Sequence, residues 1–286
     1  MQTRRLGRTG HRSTLAILGA AAFWEATPES TRDAFDLALA GGVNHVDIAP
    51  AYGAAQRLAG PLIGEHRDEL FVACKSGRHN GHGVRAQLEE SLALLGCERF
   101  DLYQAHGVVD LDDLDSRAGA FAAILQARDE GLTRFVGITG HDFGTPRAQA
   151  EAVRRYDLDT VMFPVNARLW GDLDYRRDAE ALLELTTERD LGVMAIKACA
   201  ARPWGAHRPP GRRSAQTWYE PYTGTADVER GVRFTLSVPG VHAFCTPGDI
   251  AVLRTALRAG AAFTPIDLDE AIAAAADEPM IFPIPV

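Results

Sequence analysis

The sequence has no apolar window near the roughly 18 residues that a membrane-spanning helix requires. It has no C-x-x-C pair either: Cys74, Cys97, Cys199 and Cys245 lie far apart, which argues against a zinc ribbon or disulfide framework and fits a reducing cytoplasm. No G-x-G-x-x-G turn, G-x-S-x-G elbow, H-E-x-x-H helix or Gly-rich Lys-Ser/Thr loop occurs, so an open dinucleotide sheet, a serine hydrolase, a zinc protease and a nucleotidase all lose their signatures. Basic charge is short as well. Lys and Arg number 30 against 38 Asp and Glu, and a net charge of −8 repels nucleic acid and anionic lipid, leaving a small molecule as the expected partner.

What is present is an ordinary globular composition over 286 residues, 46% hydrophobic and 24% charged, which excludes disorder and leaves room for a large core. Arg4, Arg5 and Arg8 ahead of the apolar run 15–23 resemble a secretory leader. The turn signal Gly7-Arg8-Thr9-Gly10 instead predicts a short hairpin followed by a first buried strand.

Short apolar or β-branched runs then alternate with helical patterns along the whole chain. Strands are predicted at Leu15–Ala20, Asn44–Ile48, Leu70–Lys75, Phe100–Gln104, Phe135–Thr139, Thr160–Phe163, Gly192–Ile196 and Val241–Phe244, roughly one per βαβ unit. Between them lie helical stretches, among them Pro28–Ala40, Ala54–Gly64, Gly83–Leu95, Arg117–Asp129, Pro146–Tyr156, Arg176–Arg189, Asp227–Ser237 and Asp249–Ala259. Strict alternation implies a parallel sheet covered by helices. Eight units without a linker predict a single domain over residues 1–286, an α/β fold of the (β/α)8 TIM barrel type, with an N-terminal hairpin and an outer C-terminal helix near Asp267–Asp277. One connection is disproportionate: from Cys199 to Ala226 the chain reads as a long loop on the C-terminal face, carrying Arg202, Arg208, Arg212 and Arg213 together with Trp204, Trp218, Tyr219 and Tyr222. Those arginines suit either a solvated loop or a carboxylate or phosphate on a ligand. Trp24, Trp170, Trp204 and Trp218 offer candidates for an aromatic pocket wall.

Parallel strands are buried on both faces, so an ionisable residue at the end of one needs a partner. Asp47, Tyr52, Lys75 and His106 fall at or just after the C-terminal ends of the second, third and fourth strands, which places them on one rim. A lysine ammonium lowers the pKa of a neighbouring phenol, a carboxylate holds that lysine charged, and a histidine orients a carbonyl oxygen. The set suits protonation of a developing alkoxide. His141 is ambiguous between a satisfied rim histidine and a substrate contact, and His79 and His82 lack the carboxylate of a metal motif, so no metal is expected.

The segments Val46-Asp47-Ile48-Ala49-Pro50-Ala51-Tyr52-Gly53, Lys75-Ser76-Gly77, Asp101-Leu102-Tyr103-Gln104-Ala105-His106, Gly137-Ile138-Thr139-Gly140-His141 and Phe163-Pro164-Val165-Asn166 occur in this order. Together they resemble the aldo-keto reductase family over nearly the whole chain, within a diverged bacterial branch of predicted oxidoreductases. The resemblance implies a nicotinamide cofactor, NAD or NADP, across the C-terminal face, reduction of an aldehyde or ketone, and Asp47, Tyr52, Lys75 and His106 as the catalytic tetrad with Tyr52 as proton donor. It also implies cofactor contacts from Thr139, Asn166, Lys197, Thr246, Gly248 and Asp249. Several positions depart from the family pattern: Thr139-Gly140 replaces Ser-Asn, Met162 replaces a Gln, Ile196 an aromatic, and Ala243 and Asp249 the basic residues that hold a 2′-phosphate. An acidic Asp249 near the ribose favours NAD, and arginines of the long loop favour the reverse. Two functions remain compatible with these residues: a cytoplasmic carbonyl oxidoreductase with altered cofactor contacts, or a barrel performing non-redox acid–base work or ligand binding alone.

Overall fold

The computed structural model describes residues 1–205 and 217–283. Eight parallel strands close into a barrel: β1 (Ala16–Gly19), β2 (His45–Asp47), β3 (Phe71–Ser76), β4 (Phe100–Ala105), β5 (Thr133–Thr139), β6 (Thr160–Pro164), β7 (Gly192–Ile196) and β8 (Ala243–Cys245), with β8 pairing back onto β1. Each lies within two residues of its predicted span, because a strand packed on both faces announces itself as an apolar run. Helices follow the strands and form the outer layer, among them Pro28–Ala40, Ala55–Glu65, Gly81–Leu95, Thr145–Arg155 and Ile250–Ala261. Their ends follow local chemistry. Thr27 and Ser30 form a reciprocal capping box ahead of Pro28, and Asn80 caps Gly81–Leu95 two residues upstream of its predicted start. No helix among the described residues is long and apolar enough to cross a membrane.

The barrel interior is a packed core and not a pore: Ile17, Phe71, Ala73, Leu102, Met162, Met194 and Ala243 form one buried cluster, with Leu6 inserted from below. Leu6 arrives on the predicted hairpin, whose strands Thr3–Arg5 and Arg12–Thr14 pair antiparallel across the bottom. Gly7, at φ +51°, lies so close to β7 that a Cβ on it would stand 2.3 Å from the Gly192 nitrogen. Arg5 bridges to Asp190, and Arg8 to Asp157 and Asp159, tying the hairpin to the barrel's lower rim.

Three sequence expectations change. The long connection after β7 is partly ordered as a two-stranded antiparallel sheet, Ala200–Pro203 with Tyr219–Pro221, whereas Arg208, Arg212 and Arg213 lie outside the described residues. Arg202 forms a bidentate pair with Glu220, so its charge is committed within the sheet. The final helix is shorter than predicted, Leu268–Ala274, and a helix at Leu111–Ser116, capped by Asp110, precedes Ala118–Asp129. Asp112 and Asp113 in its first turn complement the positive end of the helix.

Candidate active site

At the C-terminal ends of the strands lies a cavity of about 370 Å3, within the range of small-molecule sites. Strand ends make its floor: Gly19, Asp47, Met162, Ile196 and Cys245, with Lys197 immediately after β7. Aromatic and imidazole rings make its wall: Trp24, Tyr52, His106, His141, Trp218 and Tyr219.

Barrel register brings the four rim residues together. Asp47 pairs with Ala73 across β2 and β3, which sets Lys75 two residues higher on the same inward face, and Lys75 in turn pairs with Gln104 on β4. Lys75 is fully buried and ion-paired with Asp47, and its ammonium also donates to the Tyr52 hydroxyl at 3.3 Å. Tyr52 is held by its loop: its N–H donates to the Ala49 carbonyl, and the N–H of Ala54 donates to the Trp24 carbonyl. His106 stands edge-on to the Tyr52 ring, centroids 5.8 Å apart. Its backbone is anchored from both sides, N–H to the Ser76 carbonyl and carbonyl to the Arg117 guanidinium, while Arg117 is paired with Asp113. Arg117, a residue that sequence reasoning passed over as the start of a helix, therefore positions the imidazole.

Burial governs the electrostatics. Desolvation pushes Lys75 down, but the Asp47 carboxylate and its neighbours outweigh it and hold the ammonium charged above its ordinary range. Tyr52 is raised, because desolvation exceeds the opposing pull of Lys75, so the expected net lowering of the phenol does not occur. His106 is depressed to about 3 by burial and then by Lys75 and Arg117, so its imidazole is neutral at neutral pH. His141 is likewise depressed, by burial and then by Lys197. Burial lowers Lys197 to about 7.

The other expected site residues divide. Lys197, Thr246 and Gly248 border the cavity. Asn166 does not: its side-chain amide donates to the carbonyls of Lys197 and Ala200, and its oxygen accepts from the Arg168 N–H, so it fastens the turn after β7. Thr139 is buried behind the floor with no partner for its hydroxyl among the described residues, and His141 Nδ1 is in the same state. The Asp249 carboxylate caps the helix Ile250–Ala261, accepting from the N–H groups of Ala251 and Val252, which removes those donors from any ligand. Thr246 accepts from the Gly19 N–H. Of the tryptophans, Trp24 and Trp218 face the cavity and stack edge-on at 5.3 Å; Trp170 is core, against Tyr175 and Phe234. Cys245, expected as simple packing, lines the floor with Sγ 3.9 Å from Asp47 Oδ2. The two-residue period of β8 is the signal that could have found it.

Residues 16–202 match the sequence model of the Aldo/keto reductase family. Among curated relatives, an L-glyceraldehyde 3-phosphate reductase of Escherichia coli is 26% identical over 70% of this chain and 62% of its own length. An uncharacterized oxidoreductase of Bacillus subtilis is 26% identical over 56% of this chain and 53% of its own. The matched region thus spans less than two thirds of either relative. An aldo-keto reductase of Bacillus halodurans, solved in its holo form, superposes with a TM-score of 0.72 at 19% identity, covering 96% of each chain, and shares the fold.

Proposed function

Since this chain belongs to the aldo/keto reductase family, we propose that it is an oxidoreductase that moves a hydride between a nicotinamide dinucleotide and an aldehyde, ketone or the corresponding alcohol. The observation that carries this reading is the buried Lys75–Asp47 pair set against the Tyr52 hydroxyl, with that hydroxyl and the His106 imidazole on one cavity.

The residues present suit the nicotinamide end of such a cofactor. Thr139 Oγ1 and His141 Nδ1 are polar, buried and without partners among the described residues, beside the apolar Met162 and Ile196. His141, which lines the cavity, would receive the carboxamide that the family's Asn and Gln serve elsewhere, with Thr139 behind the floor, and Lys197, Thr246 and Gly248 border the remaining space. When bound, the dinucleotide supplies or accepts the hydride. Although its carboxylate is committed to capping the helix Ile250–Ala261, the negative charge of Asp249 at the expected adenosine side disfavours a 2′-phosphate, hence NAD over NADP.

The chain's own residues then perform the acid–base work. Neutral His106 donates a hydrogen bond to the carbonyl oxygen and orients it. Tyr52, kept protonated by its burial, delivers its proton to the oxygen as alkoxide character develops, since an alkoxide is far more basic than a phenolate. Lys75, fixed by Asp47, stabilises the phenolate left behind. Trp24, Trp218 and Tyr219 exclude water and favour a substrate with an apolar body.

Gly140 and Met162, which carry no side-chain amide, favour a second reading in which the same tetrad performs dehydration or isomerisation without a dinucleotide, or binds a ligand without chemistry. Separate titrations of the purified protein with NADH and NADPH, followed by nicotinamide fluorescence and thermal shift, distinguish the two. Micromolar binding of either supports the oxidoreductase, with a preference for NADH supporting the Asp249 argument. No binding of either, oxidised or reduced, sinks it.

A further inference from the structure

Lys75 and Lys197 are the only lysines in the chain; every other guanidinium or ammonium side chain is arginine. Lys197 borders the cavity on the wall after β7, whereas Lys75 does not line it and lies buried behind Tyr52. Their surroundings are opposite. Lys75 is locked to Asp47, whereas Lys197 has no carboxylate in ion-pair reach among the described residues, and residues 206–216 contain no Asp or Glu. Its cavity neighbours are Met162, Ile196 and Cys245, and its Nζ lies 4.4 Å from the Tyr219 ring centroid. Cys245, His141 and Tyr219 interact with it, and the same cavity is lined by the titratable groups of Asp47, Tyr52, His106 and Asp142.

The backbone at this position is also unusual. Lys197 adopts φ +71°, a region uncommon for a residue with a Cβ and concentrated at functional sites. The turn is pinned, the Lys197 carbonyl accepting from Asn166 Nδ2 at 3.2 Å and from the Ala200 N–H at 3.0 Å. A fixed cation for an anionic ligand would be served at least as well by arginine, which this chain uses throughout. Lysine is distinguished by an amine that sheds its proton when buried and then carries a free lone pair.

We propose that Lys197 is a nucleophile that condenses with small aldehydes to form an imine at Nζ inside the cavity, an activity separate from hydride transfer. The Nζ lone pair attacks the carbonyl carbon, and the C–O π pair moves onto oxygen, which is protonated from solvent. The nitrogen loses one proton to solvent, the lone pair of the resulting carbinolamine expels the oxygen, protonated a second time, as water, and nitrogen sheds its last proton to leave a neutral C=N bond, so that amine and aldehyde become imine and water with no change of oxidation state. The imine acidifies the neighbouring C–H bond, which opens α-proton exchange and aldol chemistry to this cavity.

Trapping tests this directly. The full-length protein is incubated with propanal and sodium cyanoborohydride at pH 7 without dinucleotide, and the modified residue is identified by peptide mass mapping. The expected product is a secondary amine on Lys197, heavier than the parent peptide by propanal less one oxygen atom. It should form at least tenfold faster than on the terminal α-amino group, leave Lys75 untouched, and rise in rate with pH through about 7. In Lys197→Arg, its fold checked by circular dichroism, cavity labelling should vanish. Labelling of Lys197 no faster than of the α-amino group, or labelling confined to that terminus, overturns the proposal. Because no dinucleotide is present, this outcome is independent of whether NADH or NADPH binds.

Discussion

The Lys75 ammonium lies 3.3 Å from the Tyr52 hydroxyl while ion-paired to Asp47, so one buried cation serves both a carboxylate and a phenol. Without Asp47, desolvation alone would drive Lys75 toward its neutral form and leave nothing to receive a phenolate's charge.

Substitution of Tyr52 by Phe removes the proposed proton donor but keeps the ring that packs beside Trp24 and Trp218. Turnover of a carbonyl substrate should fall by about 10²–10⁴-fold, the usual worth of a positioned general acid, with dinucleotide affinity nearly unchanged. Steady-state kinetics with a fluorescence titration of the variant decide it; undiminished kcat means that another group delivers the proton.

Breaking the ion pair on one side should be costlier than removing it. Lys75→Met leaves the Asp47 carboxylate buried without a countercharge and should lower stability by about 3–5 kcal/mol. The double variant Asp47→Asn, Lys75→Met carries no buried charge and should be markedly more stable than the single one, although equally inactive. Urea unfolding of the three proteins tests the order; equal losses would show that the carboxylate finds water or another partner.

Acid sensitivity should come early. His45, His106 and His141 all have native pKa values below the ordinary 6.5, from burial first and neighbouring cations second. Below pH 6.5 the unfolded chain takes up protons that the native state refuses, so stability is complete above that pH and falls on acidification toward the native values, about 3 for His106. Well below 6.5 each histidine adds about 1.4 kcal/mol per pH unit. The urea midpoint should drop clearly between pH 7 and pH 5.5, and a flat midpoint over that interval contradicts the neutral assignment.

Gly53 supports the aromatic wall. Its φ of +54° suits glycine, and a Cβ there would meet Trp24 Cδ1 at 2.6 Å. Gly53→Ala should cost about 1–3 kcal/mol from the left-handed backbone and displace the Trp24 ring, raising KM more than it lowers kcat. A change in kcat alone would place the effect on Tyr52, its chain neighbour.

The eight strands and the clustering of Asp47, Tyr52, Lys75 and His106 on one rim were legible in the chain because both signals are local. A strand buried on two faces is an apolar run, and a charge at the end of such a run, as at Asp47 and Lys75, stands out against it. The order of strands then follows from alternation, since each βαβ crossover returns the chain beside its predecessor. Local reading failed where a side chain has two possible employers. Asn166 could have faced a ligand or its own turn, and Asp249 a ribose or the helix it caps; only the folded backbone shows the Lys197 carbonyl and the Ala251 N–H already in place to use them. It failed equally where contact crosses the whole chain. Cys245 reaches Asp47 across 198 positions because β8 closes onto β1, and Trp24 meets Trp218 while Trp170 turns into the core. Sequence determined which residues carry charge and where strands end, because burial and periodicity act over a few residues. Barrel closure decided which of them share a cavity, and it left Lys197 there with no carboxylate in ion-pair reach among the described residues.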